Sequence, residues 1–351
     1  MLLSTVMIVS LLPTAALAAD GQMQTAQDLS ANAVTAVAEK TAEAEAFKTE
    51  METFRDGVPK TLKETGEEKL TELAANIGLV TDKWEDVAAT AGMDYSYDVG
   101  GNTLSVSTAA GLAWMAKQVN AGSLVGTAVT LADDIDLSGK LWTPAQNFTG
   151  TFDGQGHTIS GLTINNEVMG SKLEYLGLFR NIAGTADKHS FVKNVTFENV
   201  TVYAPSFLTA GGDKIGPYFG TVAGYSDYTD YENITVTGTV TIYADYAAAG
   251  IVMAKDDSTG NSFRGCKVDA TVYSVEDFYG VVGYVDADTL IEDCSVSGSF
   301  YTKSEFAGIV YEAKGGVTIR SCSVSGDLYA DDTAYGICDG LHQQKGQKEP
   351  W

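Results

Sequence analysis

The chain has few basic residues. Lysine and arginine together number 22, against 46 aspartates and glutamates, so the 351 residues carry a formal net charge of −24 at pH 7. A field of this sign repels the phosphate backbone of nucleic acids and the headgroups of anionic lipids. We therefore predict that neither nucleic acid nor an anionic membrane surface is a partner.

Residues that commonly support catalysis or metal binding are also scarce. The chain has three histidines, four arginines and no Cys-x-x-Cys pair. No serine or cysteine has a base at a spacing related to the repeat described below. Asp286 and Asp288 lack the residue order of a calcium loop. We predict no catalytic residue, no metal site and no cofactor.

A repeat dominates the second half of the chain. Six glycines each precede a small apolar pair, at successive spacings of 43, 30, 30, 28 and 28 residues: Gly177, Gly220, Gly250, Gly280, Gly308 and Gly336. A second shared block follows five of them and begins at Val195, Ile234, Cys266, Cys294 and Cys322. A fixed period made of short alternating runs predicts a stacked β architecture with one layer per repeat.

The aligned repeats predict the role of each position. Apolar columns should face the core, and one outward column alternates in charge: Lys193, Glu232, Arg264, Glu292 and Arg320. The next column should turn the strand, because its residue types tolerate a left-handed backbone: Asn194, Asn233, Gly265, Asp293 and Ser321.

The aligned cysteines replace valine and isoleucine, which favours a buried ladder of free thiols, but disulfides remain an alternative.

Changes in composition and hydrophobic pattern along the chain predict five segments. Residues 1–19 combine an apolar run with a small-x-small site, which is typical of a signal peptide; after its removal we expect no direct membrane insertion. Residues 20–92 are predicted as an acidic α-helical spacer region; the helix predicted within it at 22–55 could pack on a partner, but we favour a solvated spacer. Residues 93–170 should hold a capping helix and the first β layers, and 171–340 the regular repeats. Residues 341–351 are predicted to be an unstructured tail of a truncated protein.

Three runs carry a resemblance to a known family. Ser107–Val119, Ala132–Ser138 and Phe148–Leu162 look like the entry segment of secreted bacterial right-handed β-helix proteins. The glycine repeats resemble the GLUG motif of bacterial surface proteins, which also occurs beside immunoglobulin-A-cleaving peptidase domains. The resemblance implies an all-β, pectin-lyase-like fold: a right-handed parallel β-helix (solenoid) with an N-terminal α-helical region and a short capping helix. It implies no reaction, and the His-Glu-x-x-His sequence of those peptidases is absent.

One tyrosine column is the candidate ligand-binding site. Tyr273, Tyr301 and Tyr329 each lie seven residues after an aligned cysteine. Each follows an apolar residue that should face inward, so the tyrosines should face outward as a flat aromatic strip suited to sugar rings or to a protein. The alternative is that they form a ladder for stability alone. The loop Pro205–Pro217 is a second candidate surface.

These observations predict an exported, non-catalytic β-helix module of a bacterial cell-surface or extracellular protein. We expect adhesion, or binding of an extracellular glycan or a host or cell-surface protein. A polysaccharide-active enzyme, either a lyase or a hydrolase, on a pectate-lyase-like β-helix is the first alternative. A purely structural surface spacer is the second.

Overall fold

The computed structural model describes residues 60–169, 172–253, 258–286 and 288–342. The predicted signal peptide, the predicted helical region before residue 60 and the last nine residues lie outside the described part. None of the helices in the described ranges has the length and apolar character needed to cross a bilayer.

Within the described residues, two α-helices precede most of the strands. Helix α1 spans Lys60–Asn76 and helix α2 spans Ala109–Asn120, with short 3-10 turns at Ile77–Leu79 and Trp84–Asp86. The Thr108 hydroxyl caps α2 by accepting a hydrogen bond from the backbone N–H of Gly111 at 3.2 Å. The apolar face of α2 joins the main core cluster. This helix therefore covers the apolar residues at the start of the stack.

Short strands make up most of the rest. The first fifteen are β1 Tyr95–Asp98, β2 Thr103–Val106, β3 Thr127–Leu131, β4 Ile135–Asp136, β5 Gly150–Asp153, β6 Thr158–Ser160, β7 Thr163–Asn165, β8 Tyr175–Leu176, β9 Phe179–Ala183, β10 Ser190–Ala204, β11 Phe207–Leu208, β12 Lys214–Ile215, β13 Tyr218–Gly220, β14 Ala223–Asp227 and β15 Thr229–Ala244. The others are β16 Ala247–Ala249, β17 Ser262–Arg264, β18 Lys267–Ser274, β19 Asp277–Tyr279, β20 Val282–Val285, β21 Leu290–Glu292, β22 Ser295–Thr302, β23 Phe306–Ala307, β24 Val310–Lys314, β25 Thr318–Arg320, β26 Ser323–Val324, β27 Asp327–Ala330, β28 Ala334–Tyr335 and β29 Cys338–His342.

The strands stack in parallel sheets. The first sheet has 16 strands and includes β10, β15, β18 and β22; the second has six, β8, β13, β16, β19, β23 and β28. The third consists of β9 with β14 and of β20, β24 and β29, and parallel bridges at Val252 connect the two groups. The antiparallel pairs are the hairpin β1–β2 and the pair β11–β12. The chain is thus mainly β with parallel sheets, as the predicted all-β class requires.

The repeat alignment matches the observed strand register. Val236 lies opposite Val268, Val268 opposite Val296, and Val296 opposite Val324. The predicted inward columns are buried in the main core, except at the last layer, where Val324 is partly exposed. The predicted turn column has positive φ at every position: Asn194 53°, Asn233 53°, Gly265 61°, Asp293 54° and Ser321 55°. The strands therefore change direction at the same position in each repeat.

Side chains in this turn column bond along the stack. The Asn233 amide donates to Asn194 Oδ1 at 3.2 Å, and the Asn194 amide donates to Asp153 Oδ1 at 3.2 Å. A Cβ at Gly265 would come 2.8 Å from Asn233 Oδ1. Asparagine therefore stabilises the corner twice, since it tolerates the left-handed backbone and also hydrogen-bonds to the neighbouring layer.

The six glycines that define the repeat mark a second, tighter corner. A Cβ at Gly250 would overlap the carbonyl oxygen of Gly280, and Gly280 and Gly308 stand in the same relation to the next glycine. Strands in one sheet lie roughly 4.8 Å apart. A side chain at this corner would force the layers apart, which explains why glycine recurs there.

The four cysteines are free thiols in this structure. Cys266 and Cys294 are buried in the core, whereas Cys322 and Cys338 are partly exposed. A hydrogen bond with Cys266 raises the pKa of Cys294 to about 12. Because the thiolate is the reactive form, Cys294 is unreactive at neutral pH. The cysteines thus act as small hydrophobic residues of the inward columns, the first of the two alternatives.

The predicted charge column forms ion pairs around Glu292, but among the described residues no ion pair joins Glu232 to Lys193 or to Arg264. Glu292 lies 2.7 Å from Arg320 Nη2 and 3.8 Å from Arg264 Nε. Lys193 instead pairs with Asp153 of the preceding layer, at 3.4 Å. The two arginine side chains are about half exposed, so each pair contributes only about 0.2–1 kcal/mol.

Two segment predictions need correction. Residues 341–351 were predicted as an unstructured tail, but Leu341 and His342 belong to β29 and pair with Ala313 and Lys314. The backbone hydrogen bonds of a parallel pair do not require an alternating side-chain pattern, so the polar sequence concealed the strand. The helical region, predicted as a solvated spacer, instead packs on the first sheet from Lys60 to Asn76, as described below.

The assignment of inward and outward columns can be tested on strand β15. Val236 is fully buried, whereas its neighbour Thr235 is partly exposed and lies opposite Lys267. Val236→Asp should lower the free energy of unfolding by at least about 3 kcal/mol, because an unpaired carboxylate would enter the core. Thr235→Asp should change it by less than about 0.5 kcal/mol. Urea unfolding of both variants measures the difference, and equal stabilities would contradict the assignment.

The charge column can be tested at Glu292. Glu292→Lys should destabilise the protein by roughly 1 kcal/mol, because a third cation would lie between Arg264 and Arg320. Adding Arg320→Glu restores the shortest pair with reversed charges and should recover about half of the loss. Urea midpoints at low salt and in 1 M NaCl measure both effects, and salt should reduce them. A double variant no more stable than the single one would show that the charges do not interact.

Candidate functional site

The predicted tyrosine column lies outside the main core, as expected for side chains that each follow an inward-facing apolar residue. Tyr273, Tyr301 and Tyr329 follow one another in register on β18, β22 and β27. They belong to a small apolar cluster separate from the main core. The rings of Tyr301 and Tyr329 stack with centroids 5.5 Å apart and planes 20° apart.

The expected exposure of this column is wrong. Tyr301 is fully buried, Tyr273 is 7% exposed, and only Tyr329 is partly open. Helix α1 covers the column, and its Leu70 is buried against the tyrosines, with Leu62 packed at the edge of the cluster. An amphipathic helix buries its apolar stripe on an available apolar surface, and the outward tyrosines supply one.

Gly66 is part of this contact. A Cβ at Gly66 would lie within 3 Å of three ring atoms of Tyr301, so the helix backbone rests on the ring. In the sequence Gly66 interrupts a helical pattern. In the structure it completes the contact stripe, between Leu62 and Leu70.

Polar groups close one end of the covered column. Lys63 Nζ lies 4.9 Å from the ring centroid of Tyr329 and 3.5 Å from Asp331 Oδ1. The Tyr329 hydroxyl donates to the same carboxylate at 2.7 Å. The hydrogen bond with Tyr329 raises the pKa of Lys63, so this lysine remains charged at physiological pH. Lys63 and Asp331 are both partly exposed, and their contribution to stability is small.

Tyr301 is buried at an energetic cost. Its hydroxyl has no hydrogen-bond partner in the described part of the chain. Burial raises the pKa of this hydroxyl to about 12. A buried hydroxyl without a partner costs about 1–3 kcal/mol relative to a hydrated one. The covered arrangement is therefore less favourable than its apolar contacts suggest.

A larger tyrosine surface, which the sequence analysis missed, lies on the outer side of the second and third sheets. We call it the open tyrosine face; it comprises Tyr175, Tyr218, Tyr225, Tyr246, Tyr279, Tyr284, Tyr311 and Tyr335. The rings of Tyr279 and Tyr311 stack at 4.5 Å, and Tyr284 meets Tyr311 edge-on at 5.3 Å. In the other half, Tyr175 and Tyr218 stack at 5.6 Å. Tyrosines from successive repeats thus form two adjoining ring clusters.

Strand alternation and small neighbours produce this face. On β13 and β19 a phenylalanine points into the core, and the adjacent Tyr218 or Tyr279 points outward. Alanines occupy intervening outward positions and leave space for the rings: Ala247, Ala249 and Ala307. These tyrosines flank the defining glycines; Tyr279 and Tyr335, for example, each directly precede one. That adjacency was the sequence signal that could have identified the face.

The hydroxyls of the open tyrosine face are held in place. Tyr279 donates to Asp277 and Tyr225 donates to Asp227, each at 2.9 Å. Burial raises the pKa of both Tyr218 and Tyr279, so these hydroxyls remain neutral at physiological pH. Tyr246 is 47% exposed, and Tyr284 and Tyr311 are partly exposed. The face therefore presents the rings of Tyr246, Tyr284 and Tyr311 to solvent, while Tyr218 and Tyr279 lie buried beneath them.

A polar cluster on the first sheet was also not predicted. Asp230 accepts a short hydrogen bond from Ser262 and lies 3.1 Å from His189 Nδ1. Arg264 donates to Ser262 Oγ at 2.9 Å, and Phe191, on the neighbouring strand, is 40% exposed. Ser262 bonds to the carboxylate and to the arginine instead of to a histidine, so the described geometry is not that of a serine nucleophile with its base. No group of three potential metal ligands occurs within the described residues.

The loop Pro205–Pro217, the second surface predicted from sequence, forms the small antiparallel pair β11–β12. Leu208 at its tip is 70% exposed. Lys172 Nζ lies 6.0 Å from the ring centroid of Phe207. Gly216 of this loop lies against Tyr246, since a Cβ at Gly216 would come 3.0 Å from the Tyr246 side chain, so the loop borders the open tyrosine face.

Comparison with known proteins gives limited matches. No family model matches the chain. A stretch of 94 residues, 27% of the chain, is 40% identical to part of Halomucin from Haloquadratum walsbyi (strain DSM 16790 / HBSQ001), and spans 1% of the length of that relative. A crystal structure described as a "putative immunoglobulin A1 protease" from Bacteroides ovatus aligns with 68% of this chain and 86% of its own, at 13% identity and a TM-score of 0.31.

The role of Gly66 can be tested by adding one methyl group. Alanine would raise the intrinsic stability of the helix by about 1 kcal/mol, but its Cβ would overlap the fully buried ring of Tyr301. We expect Gly66→Ala to release α1 from the sheet, seen as faster hydrogen exchange across residues 60–76. Gly78→Ala is the matched control, because a Cβ there meets nothing within 4 Å. Slower exchange in Gly66→Ala would contradict the observed contact.

Proposed function

We propose that the chain is an exported, non-catalytic module of a bacterial cell-surface or extracellular protein, that its fold is a right-handed parallel β-helix, and that it binds glycans through the open tyrosine face. The observation that carries this proposal is the collection of eight tyrosines on one outer surface. The predicted signal peptide and the acidic composition support export. The in-register parallel sheets support the fold.

A glycan fits this face on chemical grounds. Tyrosine rings offer flat apolar surface to the C–H faces of sugar rings, and their hydroxyls are suited to bonding with sugar hydroxyls. The rings lie on paired strands and against one another, so little conformational entropy is lost on binding. The net charge of −24 favours an uncharged ligand over an anionic one.

A protein partner would use the same rings, because tyrosine is also enriched at protein interfaces. The roles of polysaccharide-active enzyme and structural spacer make different predictions. An enzyme would release soluble products from a polysaccharide panel, whereas a spacer would show no binding at all. A glycan array combined with an assay for released products therefore distinguishes the three roles in one set of experiments.

The binding role of the open tyrosine face can be tested with paired variants. Tyr284→Ala with Tyr311→Ala removes two partly exposed rings that pack around Tyr279. We expect a loss of about 1.4 kcal/mol in binding, a tenfold weaker Kd for the best glycan on the array. Tyr203→Ala with Tyr243→Ala is the control, since the rings of this pair also contact each other, with centroids 5.0 Å apart, but lie on the first sheet. Equal affinity in the two double variants, with intact thermal unfolding, would refute the proposal.

A further inference from the structure

The covered column has the arrangement of a second aromatic surface. Tyr273, Tyr301 and Tyr329 lie one above another on three consecutive layers of the first sheet. None of the three belongs to the buried residues of the main core cluster. The sheet beneath them therefore does not need these rings to fill its interior. Among the described residues, helix α1 supplies the buried apolar cover of these rings, and Val275 packs beside them.

Helix α1 buries fewer apolar side chains against the tyrosine column than helix α2 buries in the main core. In α1, the buried apolar side chains are Leu70 and Leu73, followed by Ile77 just beyond its end. In α2, six apolar side chains enter the main core: Ala109, Leu112, Ala113, Met115, Ala116 and Val119. The α1 segment also contains Gly66, which disfavours the helix by about 1 kcal/mol relative to alanine. Elements with few buried apolar contacts open locally before the rest of a protein unfolds.

Release of α1 would relieve one buried polar group and cost another its ion pair. The Tyr301 hydroxyl, buried without a partner among the described residues, would reach water or a ligand hydroxyl. Asp331 would lose the ion pair with Lys63 and keep its bond from the Tyr329 hydroxyl. The exposed surface would then consist of stacked rings with a carboxylate at one end. Rings beside a hydrogen-bond acceptor suit the C–H faces and hydroxyls of a sugar.

We propose that helix α1 is a displaceable cover, and that its release exposes Tyr273, Tyr301 and Tyr329 as a second glycan-binding surface. This inference rests on the proposed function in taking the ligand to be a glycan. The helix and the ligand compete for the same rings, so ligand binding and helix docking exclude each other. Binding at this surface is weakened by the fraction of molecules in which the helix is docked.

The cover can be opened by one substitution in the full chain. Leu70→Glu places a charge against the tyrosines and should release the helix. Leu79→Glu is the matched control, because Leu79 is 80% exposed just beyond the helix. Both substitutions should be made together with Tyr284→Ala and Tyr311→Ala, so that binding at the open tyrosine face is suppressed. Nitration by tetranitromethane, mapped by peptide mass spectrometry, reports the exposure of Tyr273 and Tyr301.

The cover can also be closed covalently. A zero-length carbodiimide should join the amine of Lys63 to the carboxylate of Asp331, which lie 3.5 Å apart, as an amide with loss of water. Lys63→Arg treated in the same way is the control, because a guanidinium does not form this amide. Mass spectrometry identifies the cross-linked peptide, and the same nitration assay confirms that the column is closed.

We expect Leu70→Glu to raise both nitration of Tyr301 and glycan binding at least threefold over Leu79→Glu, and the cross-link to lower both. Increased nitration without increased binding would overturn the inference. Loss of hydrogen-exchange protection in the strands of Leu70→Glu would also overturn it, because the helix would then be an integral part of the fold. Absence of glycan binding by every protein, wild type included, would overturn the proposed function as well. Wild-type binding that neither the substitution nor the cross-link alters would overturn the cover alone.

Discussion

The close approach of backbone at the glycine corner is the constraint on which the other columns depend. Each of Gly250, Gly280 and Gly308 lies against the carbonyl of the next glycine, with no room for a Cβ. Hydrogen bonding between parallel strands sets the spacing of successive layers, and glycine permits that spacing at this corner. Once that spacing is set, every equivalent position in the repeat becomes a column. Each side chain in a column then contacts the equivalent side chain of the next layer, which is either the same residue type or a complementary one.

The single register of the strands gives apolar, polar and charged side chains suitable partners at the same time. Valines fill the core, asparagines bond from corner to corner, and Glu292 lies between two arginines. The cysteines remain thiols that bond to backbone carbonyls, as Cys294 does with Glu292 at 3.3 Å. A shift by one layer would separate these partners. The polar columns therefore specify the register, while the apolar columns supply most of the stability.

Tyrosine is placed differently from the other aromatic residues. Phenylalanine lies mainly inside, as at Phe219 and Phe278, whereas most tyrosines lie on the outer faces, with Tyr231 an exception inside the core. A hydroxyl that is buried without a partner is costly, so an outer position, with one edge near water or a carboxylate, suits tyrosine better. The result is two aromatic surfaces on one chain, one open and one beneath α1. Their shared chemistry is the basis for assigning both to the same class of ligand.

Much of the strand architecture could be predicted because the repeat carries it locally. Alternation within each repeat assigned the inward columns, and residue types at the corner indicated its positive φ values, as at Asn194 and Asp293. The outward phase of Tyr301 was also predictable from its apolar neighbour. These properties depend on residues close together in the chain or related by a constant spacing. They need no knowledge of how distant segments meet.

Whether each candidate site is covered or exposed depends on contacts that lie outside the repeated pattern of the sequence. Helix α1 lies outside the repeated part of the chain, and Gly66 contacts Tyr301 across more than two hundred residues of sequence. The open tyrosine face joins strands from the second and third sheets, which are brought together only by folding. Local repetition therefore determined which side chains point outward. Only the tertiary structure decided which of them are covered and which meet one another, because burial depends on all the surfaces that pack together.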